Sequence, residues 1–475
     1  MSEPTLSRTS IGVYGSLGVP LALLGYPLGI WLPLAYTAYA GVPAEIVGAI
    51  ISATAIFDAV TDPMVGFASD RVRTRYGRRR AWLAMGVPVL FVALWYILNP
   101  TPDPAAGSGA AGSASGSGAP SLGNAVYLAA WFIVLRLGTT LVLVPYAAWG
   151  AELSGEYHTR TRIVAARQVG VLVGLIGAAL VPVFVEETLG DEATPLRVLG
   201  AYTIPVLLLL PATAALVIAR VPEPPASIRE GQTSFLESMR LIAKNRLFVR
   251  ILTIALLIEG GEAFRNALSL LFIRDYIGAP RAGWLYLVYF GMGLLAIPLW
   301  NRLARQSGKH RSLSAAIITV GAISITIFML DVGTVSWLLG AFGSSSEAVT
   351  PESIKRTQVI AFYALFALKG FCFGAYFSIH GFMEKVAQSF GGFSLIVLAS
   401  IGYDTTPGVP HDRFDLVWLG SLYAIVPTIA FAVALVFCWT WPMTSERHAK
   451  LQRLIVRRSA RRAAMSPAPT ASAER

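Results

Sequence analysis

Little in this chain can be oxidised, chelated or ionised. Two cysteines, Cys372 and Cys438, stand in 475 residues, both inside apolar runs, which excludes a disulfide framework and a paired-thiol metal motif. The five histidines are scattered. No H-E-x-x-H, C-x-x-C or G-x-S-x-G stands in a credible setting, so metal-dependent, redox and nucleophilic enzymes lack their residues. The expectation is a chain that is not an enzyme and needs no cofactor. Charged residues make up 14% of the chain against 55% hydrophobic, with apolar stretches long enough to cross a bilayer. That is the composition of a multi-pass membrane protein rather than of a large soluble core.

The net charge of +11 would suit nucleic acid if it were gathered on one face. Its lysines and arginines instead lie in short segments between apolar runs and in the tail, where topology accounts for them, and nucleic-acid binding is excluded. The N-terminal MSEPTLSRTSIG has no small-residue cleavage site after a short apolar run, so the first helix is expected to be retained. Apolar length against charged punctuation places spans at 13–38, 45–68, 82–99, 124–150, 163–187 and 199–220, then 251–273, 282–303, 312–331, 358–379, 385–402 and 416–441. The fold class that follows is all-α integral membrane, with twelve helices in two six-helix halves. Residues 1–220 form the N-terminal bundle, 221–250 a cytoplasmic linker, 251–442 the C-terminal bundle and 443–475 a basic cytoplasmic tail. Positive charge on the loops puts both termini on the cytoplasmic side of the plasma membrane. The Gly, Ala and Ser-rich stretch Thr101–Gly123 reads as a loop on the other face. The basic turn after the second helix, DRVRTRYGRRRAWL, has an echo in NRLARQSGKHRSLS at 301–314, two helices into the second half. Paired halves are the signature of a transporter whose solute path runs between them.

The stretch with most to explain is 57–83, FDAVTDPMVGFASDRVRTRYGRRRAWL. Asp58 and Asp62 lie in an apolar run, spaced i,i+4, so they share a helix face with β-carbons about 5–6 Å apart. Pro63 lacks an N–H, which frees the Ala59 carbonyl beside them. Two carboxylates this close in a low dielectric hold either a proton or a cation, since both cannot stay bare. Immediately after them come six arginines between 71 and 80, a loop whose charges set topology and latch helix ends through Asp70. On the seventh span Glu259, Glu262 and Arg265 are spaced either to neutralise one another or to line a cavity, and Glu262 is a candidate for solute contact. Lys369 and Arg136 are further charges placed inside apolar spans.

The run D-A-x-x-D-P-x-x-G, S-D-R-x-R-T-R-x-G-R-R-R-x-W-L resembles the glycoside-pentoside-hexuronide:cation symporters, the melibiose-permease-like branch of the major facilitator superfamily. The T-R-T-R-I-x-A-A-R run ending at Arg167, the L-A-R-x-x-G-K-H-R turn at 303–311 and the tail W-P-M-T-S-E-R-H-A-K-L agree with it. The resemblance implies alternating-access symport of a small organic solute with Na⁺ or H⁺. It places the ion at Asp58 and Asp62, with Thr140 and Thr61 beside them; Thr61 stands where the family carries asparagine. On the solute side it implies Arg167, Lys385, and Tyr146 and Trp149 after Pro145. Two sugar-clamping carboxylates of the family fall at Ala22 and Leu143 here, and the family's acidic loop before Lys385 has no counterpart. An organic anion or a lysolipid-like amphipath is therefore the alternative solute, and a non-transporting sensor or scaffold of the same fold the alternative function. The partners expected are the solute and the lipid bilayer, with no obligatory protein partner.

Overall fold

The computed structural model describes residues 7–72, 74–100, 122–154, 156–223, 240, 244–279, 281–331, 333–336, 350–376 and 384–440. Residues 101–121 of the expected loop, most of the 221–250 linker and the basic tail lie outside these residues, as does the side chain of Lys385, while Leu122 and Gly123, expected in the loop, begin a helix.

Nine helices among the described residues are long and apolar enough to cross a membrane. In chain order they begin with α1 (Arg8–Tyr39), α2 (Ala44–Arg71), α3 (Arg79–Leu98), α4 (Leu122–Glu152), α5 (Thr159–Leu189) and α6 (Pro195–Arg220). After the linker come α7 (Arg246–Leu271), α8 (Gly283–Ser307), α9 (Lys309–Phe328), α10 (Pro351–Tyr376), α11 (Glu384–Ser400) and α12 (Arg413–Trp439). Helices α7, α10 and α11 are the three outside the nine; α7 carries Glu259, Glu262 and Arg265, and α10 carries Glu352, Lys355, Arg356 and Lys369. Six helices therefore precede the linker and six follow it. Helix α7 begins at Arg246, inside the stretch expected to be linker, because Asn245 caps it by accepting from the Phe248 N–H at 3.2 Å.

Lipid offers little drive for helix association, so close helix pairs rely on small residues that let backbones touch. A β-carbon on Gly170 would lie 2.1 Å from the Gly15 carbonyl oxygen, and this fixes α5 against α1. The two halves meet in the same way. A β-carbon on Gly48 of α2 would lie 2.3 Å from the carbonyl oxygen of Gly392 on α11, and one on Gly392 would lie 2.2 Å from that of Gly48. One turn on, the Ser52 hydroxyl donates to the Ser389 carbonyl at 2.8 Å.

A second seam joins the end of α5 to the start of α8. Glu186 accepts from the backbone N–H groups of Ala282 (3.2 Å) and Gly283 (3.0 Å), while Glu187 accepts from Arg281 (2.6 Å) and the Trp284 indole (3.0 Å). Both seams lie toward the face opposite the start of α1 and the end of α12, and they join the halves there. On the terminal face the arginine-rich turn is knitted into the first half. Arg79, almost fully buried, pairs with Asp70 and donates to Glu152 and Ser69, each at 2.7 Å. Arg78 pairs with the same Glu152, and Arg80 donates to the Val221 carbonyl at 2.7 Å.

Candidate functional site

The i,i+4 spacing on α2 does put both acids on one face, and α4 packs against that face. Asp58 is wholly buried and Asp62 half-buried. The Thr140 hydroxyl of α4 joins them: it lies 2.7 Å from Asp62 Oδ1 and 3.4 Å from Asp58 Oδ1. With one proton to give, it donates to the nearer carboxylate, Asp62. Thr61 is turned differently, its hydroxyl donating to the Phe57 carbonyl of its own helix at 3.1 Å.

The site holds one feature that motif reading does not single out. Arg136, one turn before Thr140 on α4, places Nη1 3.2 Å from Asp58 Oδ2. The same nitrogen donates to the Gln388 side-chain oxygen on α11, in the other half. Arg136 is visible in the sequence as a charge in an apolar helix. Gln388, an uncharged amide, carries no such signal.

Residues expected on the solute side divide. Tyr146 is buried and stacked on Tyr14 with ring centroids 4.5 Å apart. Their hydroxyls are exchanged onto backbone, Tyr14 to the Tyr146 carbonyl (3.0 Å) and Tyr146 to the Tyr14 carbonyl (2.6 Å). Trp149 is fully buried and donates to the Pro222 carbonyl at 3.1 Å. Both aromatics thus pack α4 against the start of α1 and the end of α6. Arg167 is half-buried on α5, near enough to the Tyr14 and Tyr146 hydroxyls to act on both electrostatically.

In the second half Glu262 receives two cations, Arg265 Nη1 at 3.1 Å and Lys369 Nζ at 3.5 Å. Arg265 also donates to Ser324 (3.1 Å) and to the Tyr423 carbonyl (3.3 Å), which ties α7 to α9 and α12. Lys369 is buried over the Tyr289 and Phe366 rings at about 5.5 Å. Tyr286, edge-on to Phe366 and donating to Ser269 at 2.6 Å, is also edge-on to Tyr26 of α1 at 5.4 Å. An aromatic belt therefore runs from the Glu262 network to the first half.

Two helical halves meeting around a membrane-embedded acid pair, with ionisable groups in both, define a secondary transporter of the major facilitator fold. The family model described as MFS/sugar transport protein matches residues 13–445, and the chain belongs to that family, the glycoside-pentoside-hexuronide symporters. It is 22% identical to the putative glycoside/cation symporter YagG of Escherichia coli (strain K12), covering 94% of this chain and 98% of that one. It is also 21% identical to the sodium-dependent lysophosphatidylcholine symporter 1 of Xenopus tropicalis, over 90% of this chain and 86% of that one. Among solved structures it is similar to a partially occluded inward-open conformation of the xylose transporter XylE from E. coli. The TM-score there is 0.55 at 15% identity, covering 92% of this chain and 99% of that one, a likeness of fold. The family is one of transporters, not enzymes, and the chain is a multi-pass membrane protein.

Proposed function

We propose that this transporter is a cation-coupled symporter of a sugar, glycoside or related small organic solute, working by alternating access in the plasma membrane. The observation that carries the reading is the convergence of Asp58 and Asp62 on one hydroxyl, Thr140, at mid-helix depth. Two carboxylates cost too much in an apolar span to persist there bare, and a co-transported ion that shares them with Arg136 is the cargo such a pair suits. Na⁺ or H⁺ enters as substrate beside the solute. Arg167, Glu262 and Lys369 are the ionisable groups best placed for the solute path. Tyr146 and Trp149 contribute through packing, and Thr61 keeps its hydroxyl on the Phe57 carbonyl of its own helix.

A second solute class is favoured by one observation. Ala22 and Leu143 stand where the resemblance expects sugar-clamping carboxylates, while Arg265 and Lys369 are buried cations in the second half. That balance suits an organic anion or a lysolipid-like amphipath, and a similar protein is named for lysophosphatidylcholine. The test is direct binding of glycosides, hexuronates, organic anions and lysolipids to the purified protein, with and without Na⁺ at fixed pH. A solute whose affinity rises with Na⁺ or with acid supports symport. Saturable binding indifferent to both refutes the coupling.

A further inference from the structure

The acid pair has a resident cation, and that cation reaches into the other half of the protein. Arg136 Nη1 stands 3.2 Å from Asp58 Oδ2 and donates to the Gln388 amide oxygen of α11. Gln388 adjoins Ser389, whose carbonyl accepts from Ser52, and lies one turn before Gly392, which meets Gly48 backbone to backbone. The guanidinium thus sits where the ion site and the closed seam touch.

We propose that Arg136 is a positioning residue that competes with the coupling ion for Asp58 and, through Gln388, links occupancy of the ion site to closure of the face opposite the start of α1 and the end of α12. The inference rests on the coupling reading above and adds how occupancy is sensed.

The argument is one of charge and reach. An ion seated between Asp58 and Asp62 draws on the carboxylate that the guanidinium already neutralises, and the two positive charges repel at that range. Arginine cannot shed its proton to relieve the conflict. It must move. One nitrogen, Nη1, meets Asp58 and Gln388 together, so a shift away from Asp58 disturbs the bond to α11. Ion entry therefore loosens the α2 to α11 seam. Linkage is reciprocal, and closure of the seam must weaken ion binding by the same factor.

The test uses the full-length protein with Cys372→Ala and Cys438→Ala, spin-labelled at Leu189 and Phe414, two exposed residues of opposite halves at the closed face. The distance between labels is followed against Na⁺ at fixed pH, and against pH without Na⁺. In the parent, one of these ions lengthens the distance, and its half-effect concentration measures affinity. Arg136→Gln loses the distance response together with the guanidinium, so its ion affinity is read by isothermal titration and is expected to rise about tenfold or more over the parent's, equivalent to roughly 1.4 kcal/mol. Gln388→Leu leaves the buried ion pair intact and is expected to fold; in it the distance no longer responds to the ion. Arg136→Lys, which keeps the charge on a side chain one bond shorter and cannot reach both partners, also loses the distance response. An unchanged or lowered ion affinity in Arg136→Gln overturns the competition. A parental response in Gln388→Leu or Arg136→Lys overturns the link to the seam. A parent that responds to neither ion overturns the coupling reading itself, and this inference with it.

Discussion

Arg136 and Asp58 form a buried ion pair across α2 and α4, 3.2 Å apart, within the acid pair of α2. The two acids are therefore unequal. Asp58 is wholly buried and answers a fixed positive charge, while half-buried Asp62 meets the Thr140 hydroxyl.

That inequality separates the two neutralising variants. Asp62→Asn keeps volume and an oxygen for Thr140, so it should reach the membrane at the parental level, exchange solute down a gradient and fail to accumulate it. Asp58→Asn removes the carboxylate charge that Arg136 meets at 3.2 Å inside the protein, a loss on the order of 3 kcal/mol. It should express poorly or melt earlier, and Asp58→Asn with Arg136→Gln should recover the melting temperature without recovering accumulation. Accumulation at the parental level by Asp62→Asn would make the acids structural.

The glycine seam has a size limit. A β-carbon on Gly48 meets the Gly392 oxygen at 2.3 Å and Ile396 Cγ1 at 3.0 Å, so Gly48→Ala has to push α2 off α11. Transport should fall by about tenfold or more, and a cysteine at Ser52 should become more reactive toward a soluble thiol reagent. Parental uptake together with unchanged labelling would take the seam out of the transport cycle.

Arg167 stands beside two tyrosine hydroxyls whose hydrogen bonds already go to backbone. Replacing it with lysine keeps the charge and removes the planar fork of donors. Solute affinity should drop about tenfold while the ion dependence is unchanged, read by binding titrations with and without Na⁺. Normal solute affinity in Arg167→Lys assigns the residue to packing of α1 against α5.

Orientation follows from the basic loops. A cysteine at Ser459, on the background lacking Cys372 and Cys438, should stay unlabelled by an impermeant reagent in intact cells and label after permeabilisation. Labelling from outside would invert the topology.

The spans were legible because apolar length and punctuation report the bilayer directly. The second was expected at 45–68 and found at Ala44–Arg71. The tenth was expected from 358 and starts at Pro351, because its first turns carry Glu352, Lys355 and Arg356 and lie outside the apolar run that defines a span by sequence. The acid pair was legible for the same reason, as an expense inside an apolar helix. Partners were not. Arg136 and Asp58 are 78 positions apart, and Arg136 and Gln388 are 252 apart, distances over which no spacing rule says which helix faces which. The type of Tyr146 and Trp149 could not tell a cavity wall from a packed interior. Tyr14, which takes up one of them, announces itself only once α1 is laid against α4.

Glu186 gives the closed face a dependence on solvent. It supplies, from one half of the protein, the N-cap of a helix that belongs to the other, holding the Ala282 and Gly283 N–H groups. When the halves part, those donors lose their acceptor, and at the edge of a bilayer only water or a headgroup can replace it. The gate at this face is thus also a dehydration step. Each closure strips water from a carboxylate and two amides, and each opening waits for it to return, so lowered water activity should hold the transporter shut at this end.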